Sequence, residues 1–135
     1  MKKLLFCLSL CFALNAQGDE PAYRDAVRVG SVLYVSGQTG SIHEGVPVPG
    51  GITAQTKQAL ENIKKILNDN GLNMANVKKC TVMLADIQDW AAMNSVYATY
   101  FRKDAYPART TFGNSGLASG NLIEIDCIAS FRNNA

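Results

Sequence analysis

PARTTFGNSGLASGNLIEID, residues Pro107 to Asp126, reads as two strands joined by a loop. Pro107 makes a corner and holds Tyr106 extended, because a proline disfavours the helical conformation in the residue before it. The first strand is expected over Ala108 to Ser115 and carries Arg109 near its start. Glycine, serine and asparagine then break regular structure. The second strand is expected over Leu122 to Phe131. It alternates apolar and acidic residues, Ile123, Glu124, Ile125, Asp126, as a strand with one covered face does. One guanidinium and two carboxylates therefore enter the domain on strands expected to be neighbours.

The rest of the chain supplies the layer that covers those strands. Ala26 to Val29 and Val32 to Ser36 are β-branched runs around Gly30-Ser31, a hairpin of type II′ form. A loop follows through Gly40, His43, Pro47, Pro49 and Gly51. Ile52, Ala59, Leu60, Ile63, Ile66 and Leu67 then fall on one helical stripe, with Lys57, Glu61, Lys64 and Asn68 opposite. Thr53 or Gly51 suits its start and Gly71 its end. Val77 to Leu84 reads as a strand. Asp86 or Asp89 caps a second helix, Trp90 to Lys103, whose apolar side is Trp90, Met93, Tyr97, Tyr100 and Phe101. The order is β-β-α-β-α-β-β, an α+β fold with two helices on one face of a mixed sheet. No third helix remains for the other face, so self-association through it is expected.

The chain has 135 residues, 47% of them hydrophobic and 18% charged, which suits one globular domain. Lys2 and Lys3 precede an apolar run from Leu4 to Leu14, with Ala16 after it. A basic start, a short apolar run and a small residue read as a cleavable export signal over residues 1–16, leaving a domain at 17–135. The run is too short to span a bilayer. Taking Lys2 and Lys3 from the 13 basic residues leaves 11, equal to the 11 acidic ones. A domain of zero net charge with no basic run is a poor nucleic-acid binder. Cys80 and Cys127 stay in the domain and lie inside expected strands. They read as small buried hydrophobes, with a disulfide as the alternative that an oxidising compartment allows.

Several chemistries fail on residue type or spacing. The single histidine, His43, supports neither a metal cluster nor a His-based triad. Gly113-Asn114-Ser115-Gly116-Leu117 has leucine where a nucleophile elbow needs glycine. Pro49-Gly50-Gly51 lacks the Gly-Lys-Ser/Thr of a phosphate loop. Arg109 remains, able to grip a carboxylate with two parallel hydrogen bonds. Glu124 remains as a group that can orient and deprotonate a water. On spacing alone the two read first as a cross-strand surface pair worth ~0–1 kcal/mol. Ser36 reads as a strand end, Asn94 as a solvated or capping residue, and Tyr97 as core.

The domain resembles the RidA (YjgF/YER057c/UK114) family of reactive intermediate deaminases. The resemblance is carried by Tyr23 with Ala26-Val27, by Tyr34-Val35-Ser36-Gly37-Gln38 with Gly40, and by Gln58-Ala59-Leu60-Glu61-Asn62. It continues through Val82-Met83-Leu84-Ala85-Asp86-Ile87, Met93-Asn94 with Tyr97, Tyr100-Phe101, Pro107-Ala108-Arg109 and Ile123-Glu124-Ile125. Pro21-Ala22, Arg24, Asn114 and Ala118 depart from the family pattern. The resemblance implies a chorismate-mutase-like fold and a homotrimer with clefts between subunits. It implies hydrolysis of 2-enamine and 2-imine acids to 2-keto acids and ammonia, without cofactor or metal. In that reading Arg109 grips the substrate carboxylate and Glu124 handles the water. Tyr23, Ser36, Gly40, Asn94 and Thr111 line the cleft, and Asp126 is structural. The expected partners are a small imino or keto acid and two further copies of the chain. The expected location is outside the cytoplasm. Two other readings stand beside it: a trimer that binds small carboxylates without turnover, and a ribonuclease or translation inhibitor.

Overall fold

The computed structural model describes residues 22–42 and 45–132. The expected export signal and His43 lie outside them. Five strands and two helices follow in the expected order: β1 (Ala26–Val29), β2 (Val32–Thr39), α1 (Gly51–Asp69), β3 (Val77–Leu84), α2 (Trp90–Tyr97), β4 (Ala108–Phe112) and β5 (Ile123–Ser130). The β1–β2 turn uses Gly30 at φ 58°, a left-handed value that glycine adopts without a Cβ clash.

The strand order is β1-β2-β5-β3-β4. Here the structure corrects the sequence reading. β4 and β5 are not neighbours, because β3 lies between them. β3 pairs antiparallel with β5 and parallel with β4, which makes β4 an edge strand reached by the α2 crossover. A parallel pair needs such a connection, since a tight turn can only join antiparallel strands.

The core sits between the sheet and the helices. Leu60, Ile63 and Leu67 of α1 and Met93 of α2 pack onto Leu33 and Val35 of β2, Val82 and Leu84 of β3, and Ile123 and Ile125 of β5. The other face has no helix over it. Val27, Val29, Tyr34 and Phe112 are exposed there. α2 is shorter than expected and tightens into a 3-10 turn over Ala98–Tyr100. The Thr99 hydroxyl donates to the Val96 carbonyl at 2.7 Å, a local bond that competes with the helical ladder. Asp86 caps the turn before α2 by accepting from the Gln88 N–H, whereas α1 starts after Gly50 with no side-chain cap. Asn114, one of the departures from the family pattern, takes a left-handed φ of 60°, which asparagine tolerates better than an apolar residue.

Cys80 and Cys127 are bonded to each other, against the reading of two free buried thiols. The antiparallel β3–β5 register sets them directly opposite, with Cα atoms 4.1 Å apart on the core face. The register is a property of the paired strands, so the sequence of either strand alone could not show it. The bridge spans a sequence separation of 47 residues. A Cys80→Ala/Cys127→Ala variant is expected to lose about 4 kcal/mol of stability through the freed loop. Urea unfolding under non-reducing conditions measures this, and an unchanged midpoint would contradict it.

Candidate active site

The proposed site residues fall into two groups on opposite faces of the sheet. Arg109 is aligned with Cys80 on β3, so its side chain lies on the helix-covered face at the β4 edge. There its Nη1 donates to Asn94 Oδ1 at 2.9 Å. Its Cζ is 4.6 Å from the centre of the Tyr97 ring and 5.7 Å from that of Trp90. Arg109, Asn94, Tyr97 and Tyr106 line a cavity of about 290 Å³. Thr111, two residues along β4 on the same face, has a buried hydroxyl with no partner among the described residues.

Glu124 points the other way. It is aligned with Met83 on β3 and Thr39 on β2, on the face without helices. It lines a larger cavity, about 670 Å³, together with Tyr23, Ser36 and Gly37. Tyr23 is 66% exposed at its rim. The Ser36 hydroxyl donates to the Arg24 carbonyl at 2.6 Å, tying the segment that carries Tyr23 to β2. Asp126 shares the Glu124 face but does not line that cavity.

A bulge shapes this second group. Between Val35 and Gln38, β2 has one residue more than β5. The extra residue bends the strand and brings Gly37 to the Glu124 face, which Ser36 already shares by alternation from Tyr34. A Cβ on Gly37 would lie 1.9 Å from Glu124 Oε1. Gly40 is placed differently from the expectation. It is buried against α1, where a Cβ would come within 2.3 Å of Gln55 Cβ. The glycine that approaches Glu124 is thus Gly37, which sequence reasoning quoted but did not single out. Gly37→Ala is expected to displace the Glu124 carboxylate and lower turnover about 100-fold, since an ångström of misplacement can cost that much. Circular dichroism should remain native. Full activity would place Glu124 outside the chemistry.

Polar residues of α1 hold the surrounding loops. Asn62 Nδ2 donates to the Ser41 carbonyl at 2.9 Å, and Gln55 Oε1 accepts from the Leu122 N–H at 2.8 Å. These bonds fix the bend after β2 and the entry to β5. Among the described residues no group of His, Cys, Asp or Glu is placed to hold a metal ion, and no helix is long and apolar enough to cross a membrane.

The family model described as endoribonuclease L-PSP matches residues 14–131. The chain belongs to this family. Its members include a 2-iminobutanoate/2-iminopropanoate deaminase of Rattus norvegicus, 45% identical over 80% of this chain and 79% of the relative. Two solved structures bear the same likeness. RidA from Psychrobacter sp. superposes with a TM-score of 0.76 at 35% identity, covering 82% of this chain and 89% of that one. E. coli TdcF with bound serine gives 0.76 at 30% identity, over 85% and 92%. The resemblance read from Tyr34 to Gln38 and from Pro107 to Arg109 therefore extends to the three-dimensional fold.

Proposed function

We propose that this chain hydrolyses reactive 2-enamine and 2-imine acids, such as 2-aminoacrylate and 2-iminopropanoate, to 2-keto acids and ammonia. One observation carries the reading. Arg109 donates a hydrogen bond to a neutral amide and forms no ion pair with a described carboxylate, which leaves most of its fork open to a substrate carboxylate. The names of the relatives support the substrate class.

The chemistry follows from the two groups. Arg109 holds the carboxylate of the imino acid. The Glu124 carboxylate takes a proton from a water as the water oxygen bonds to the imine carbon. As its π bond opens the imine nitrogen takes up the proton that Glu124 received, and the carbinolamine hydroxyl later gives its own proton to the departing nitrogen as the C–N bond breaks. The resulting carbinolamine collapses to the keto acid and releases ammonia, so one water is consumed for each ammonia formed. An enamine enters the same route after tautomerising to the imine.

Arg109 and Glu124 lie on opposite faces of one sheet, so a single copy cannot place both on one small acid. The reading therefore includes a homotrimer, in which the Arg109 edge of one copy meets the Glu124 cavity of the next. The exposed Val27, Tyr34 and Phe112 of the uncovered face suit such contacts. The expected sedimentation at micromolar concentration is that of a trimer. A monomer with full turnover would sink the composite cleft. The reading itself rests on ammonia release from freshly generated 2-iminopropanoate by the purified domain. A protein that binds 2-oxobutanoate yet releases no ammonia from several imino acids would be a binding trimer instead.

Export completes the proposal. Lys2, Lys3 and the run from Leu4 to Leu14 support it, as does a Cys80–Cys127 bridge, which persists in oxidising compartments. Mass spectrometry of the protein from a periplasmic or culture fraction should find an N-terminus at or near Gln17. Full-length protein confined to the cytoplasm would contradict it.

A further inference from the structure

We infer that Trp90, Asn94 and Tyr97 are positioning residues that hold the Arg109 guanidinium in a cradle of neutral groups, so that its charge is presented uncompensated to an incoming carboxylate. The inference rests on the proposed role of Arg109 as carboxylate anchor.

The three residues stand at i, i+4 and i+7 on α2, which places them on one face of that helix. Read from sequence, Trp90 and Tyr97 look like core. Tyr97 does join the core, whereas Trp90 stays largely exposed. Trp90 is 43% exposed, although it is the largest apolar side chain of α2. Its ring lies 5.7 Å from Arg109 Cζ. Tyr97 is 3% exposed, and its ring lies 4.6 Å from the same carbon. Both distances are within the reach of a cation–π contact. Between them, Asn94 Oδ1 accepts the Nη1 hydrogen bond.

A salt bridge would hold an arginine as firmly but would neutralise it. Here the ion pairs among the described residues are Lys64–Glu61, Lys65–Asp69 and Arg102–Asp104, and none includes Arg109. Asp86, at the turn before α2, is engaged with the Gln88 N–H. The Tyr97 phenol is pushed up to about 12 by burial, with Arg109 opposing the shift, so it stays neutral at working pH. Aromatic faces and an amide oxygen thus fix the guanidinium and leave its net charge intact. The packing also restricts its rotamers before a ligand arrives, which lowers the ordering cost of binding.

The test measures 2-oxobutanoate affinity by calorimetry and 2-iminopropanoate kinetics in parallel on the purified protein. Trp90→Leu and Tyr97→Leu are each expected to weaken 2-oxobutanoate about 5- to 30-fold and to raise KM similarly, with kcat nearly unchanged. Trp90→Phe and Tyr97→Phe should restore most of the loss, because they return a ring face. Trp90→Leu covers the case in which the buried Tyr97→Leu does not fold. Asn94→Asp is the sharpest variant. It keeps an acceptor for Arg109 and adds a negative charge, so the melting temperature should hold while 2-oxobutanoate affinity falls about tenfold or more. Wild-type affinity in Asn94→Asp, or equal losses in the Leu and Phe variants, would overturn the cradle. Failure of the deaminase reading is separate. A wild type that binds 2-oxobutanoate without turnover, and whose affinity follows the pattern above, upholds the cradle while refuting deamination. A wild type that binds no acid overturns the cradle.

Discussion

Arg109→Ala is expected to lower kcat/KM for 2-iminopropanoate by roughly 30- to 4000-fold. The range corresponds to about 2–5 kcal/mol, the usual loss when one partner of a desolvated, hydrogen-bonded charge pair is truncated. The lost group is a two-pronged donor, so Arg109→Lys should recover only part of the activity. A lysine restores charge but not the planar fork. The fold should survive either change, because Arg109 is on an edge strand and only half-buried. The assay follows ammonia from freshly generated imine, with 2-oxobutanoate calorimetry beside it. Equal activity in wild type and Arg109→Ala would end the deaminase reading. RNA cleavage that persists in a highly purified Arg109→Ala protein would instead point to the ribonuclease alternative.

Glu124→Gln is expected to separate binding from chemistry. The side chain keeps its size and can still accept a hydrogen bond, but it can no longer take a proton from water. General-base catalysis typically contributes 10²–10⁴-fold, and kcat should fall by about that much. Affinity for 2-oxobutanoate should change by no more than a few-fold, because the carboxylate grip belongs to Arg109. A raised KM with kcat intact would make Glu124 a binding group rather than a base. The two variants also test the composite site. If the cleft joins two copies, mixing Arg109→Ala with Glu124→Gln subunits should regenerate some clefts with both wild-type groups and restore part of the activity.

Much of the fold was legible because its signals are local. The stripe from Ile52 to Leu67, the alternation from Ile123 to Cys127 and the run from Val77 to Leu84 each report their own periodicity. Glu124 was placed on the correct face by that alternation alone. β4 was harder. Its residues, Ala108 to Phe112, show no clean alternation, and Phe112 lies on the uncovered face while Arg109 lies under the helices. An edge strand has one partner and weak constraint on either face, so its pattern is ambiguous. Only the parallel register with β3 resolves it. Gly37 was missed for a related reason. A bulge brings Gly37 to the face opposite the one that alternation from Val35 gives it, and nothing in a strand-like run announces a bulge.

The sequence by itself determined the element order, the α+β class, the family resemblance and the choice of Arg109 and Glu124 as the groups worth following. These depend on residue type and near-neighbour spacing, which the chain carries along its length. The tertiary structure decided what lies beside what. It inserted β3 between β4 and β5, joined Cys80 to Cys127, and put Arg109 and Glu124 on opposite faces. It also set the exposed Trp90 and the core residue Tyr97 beside a guanidinium. Such facts depend on strand pairing and helix crossover. Those are settled by burying the whole apolar surface at once, so no single stretch contains them.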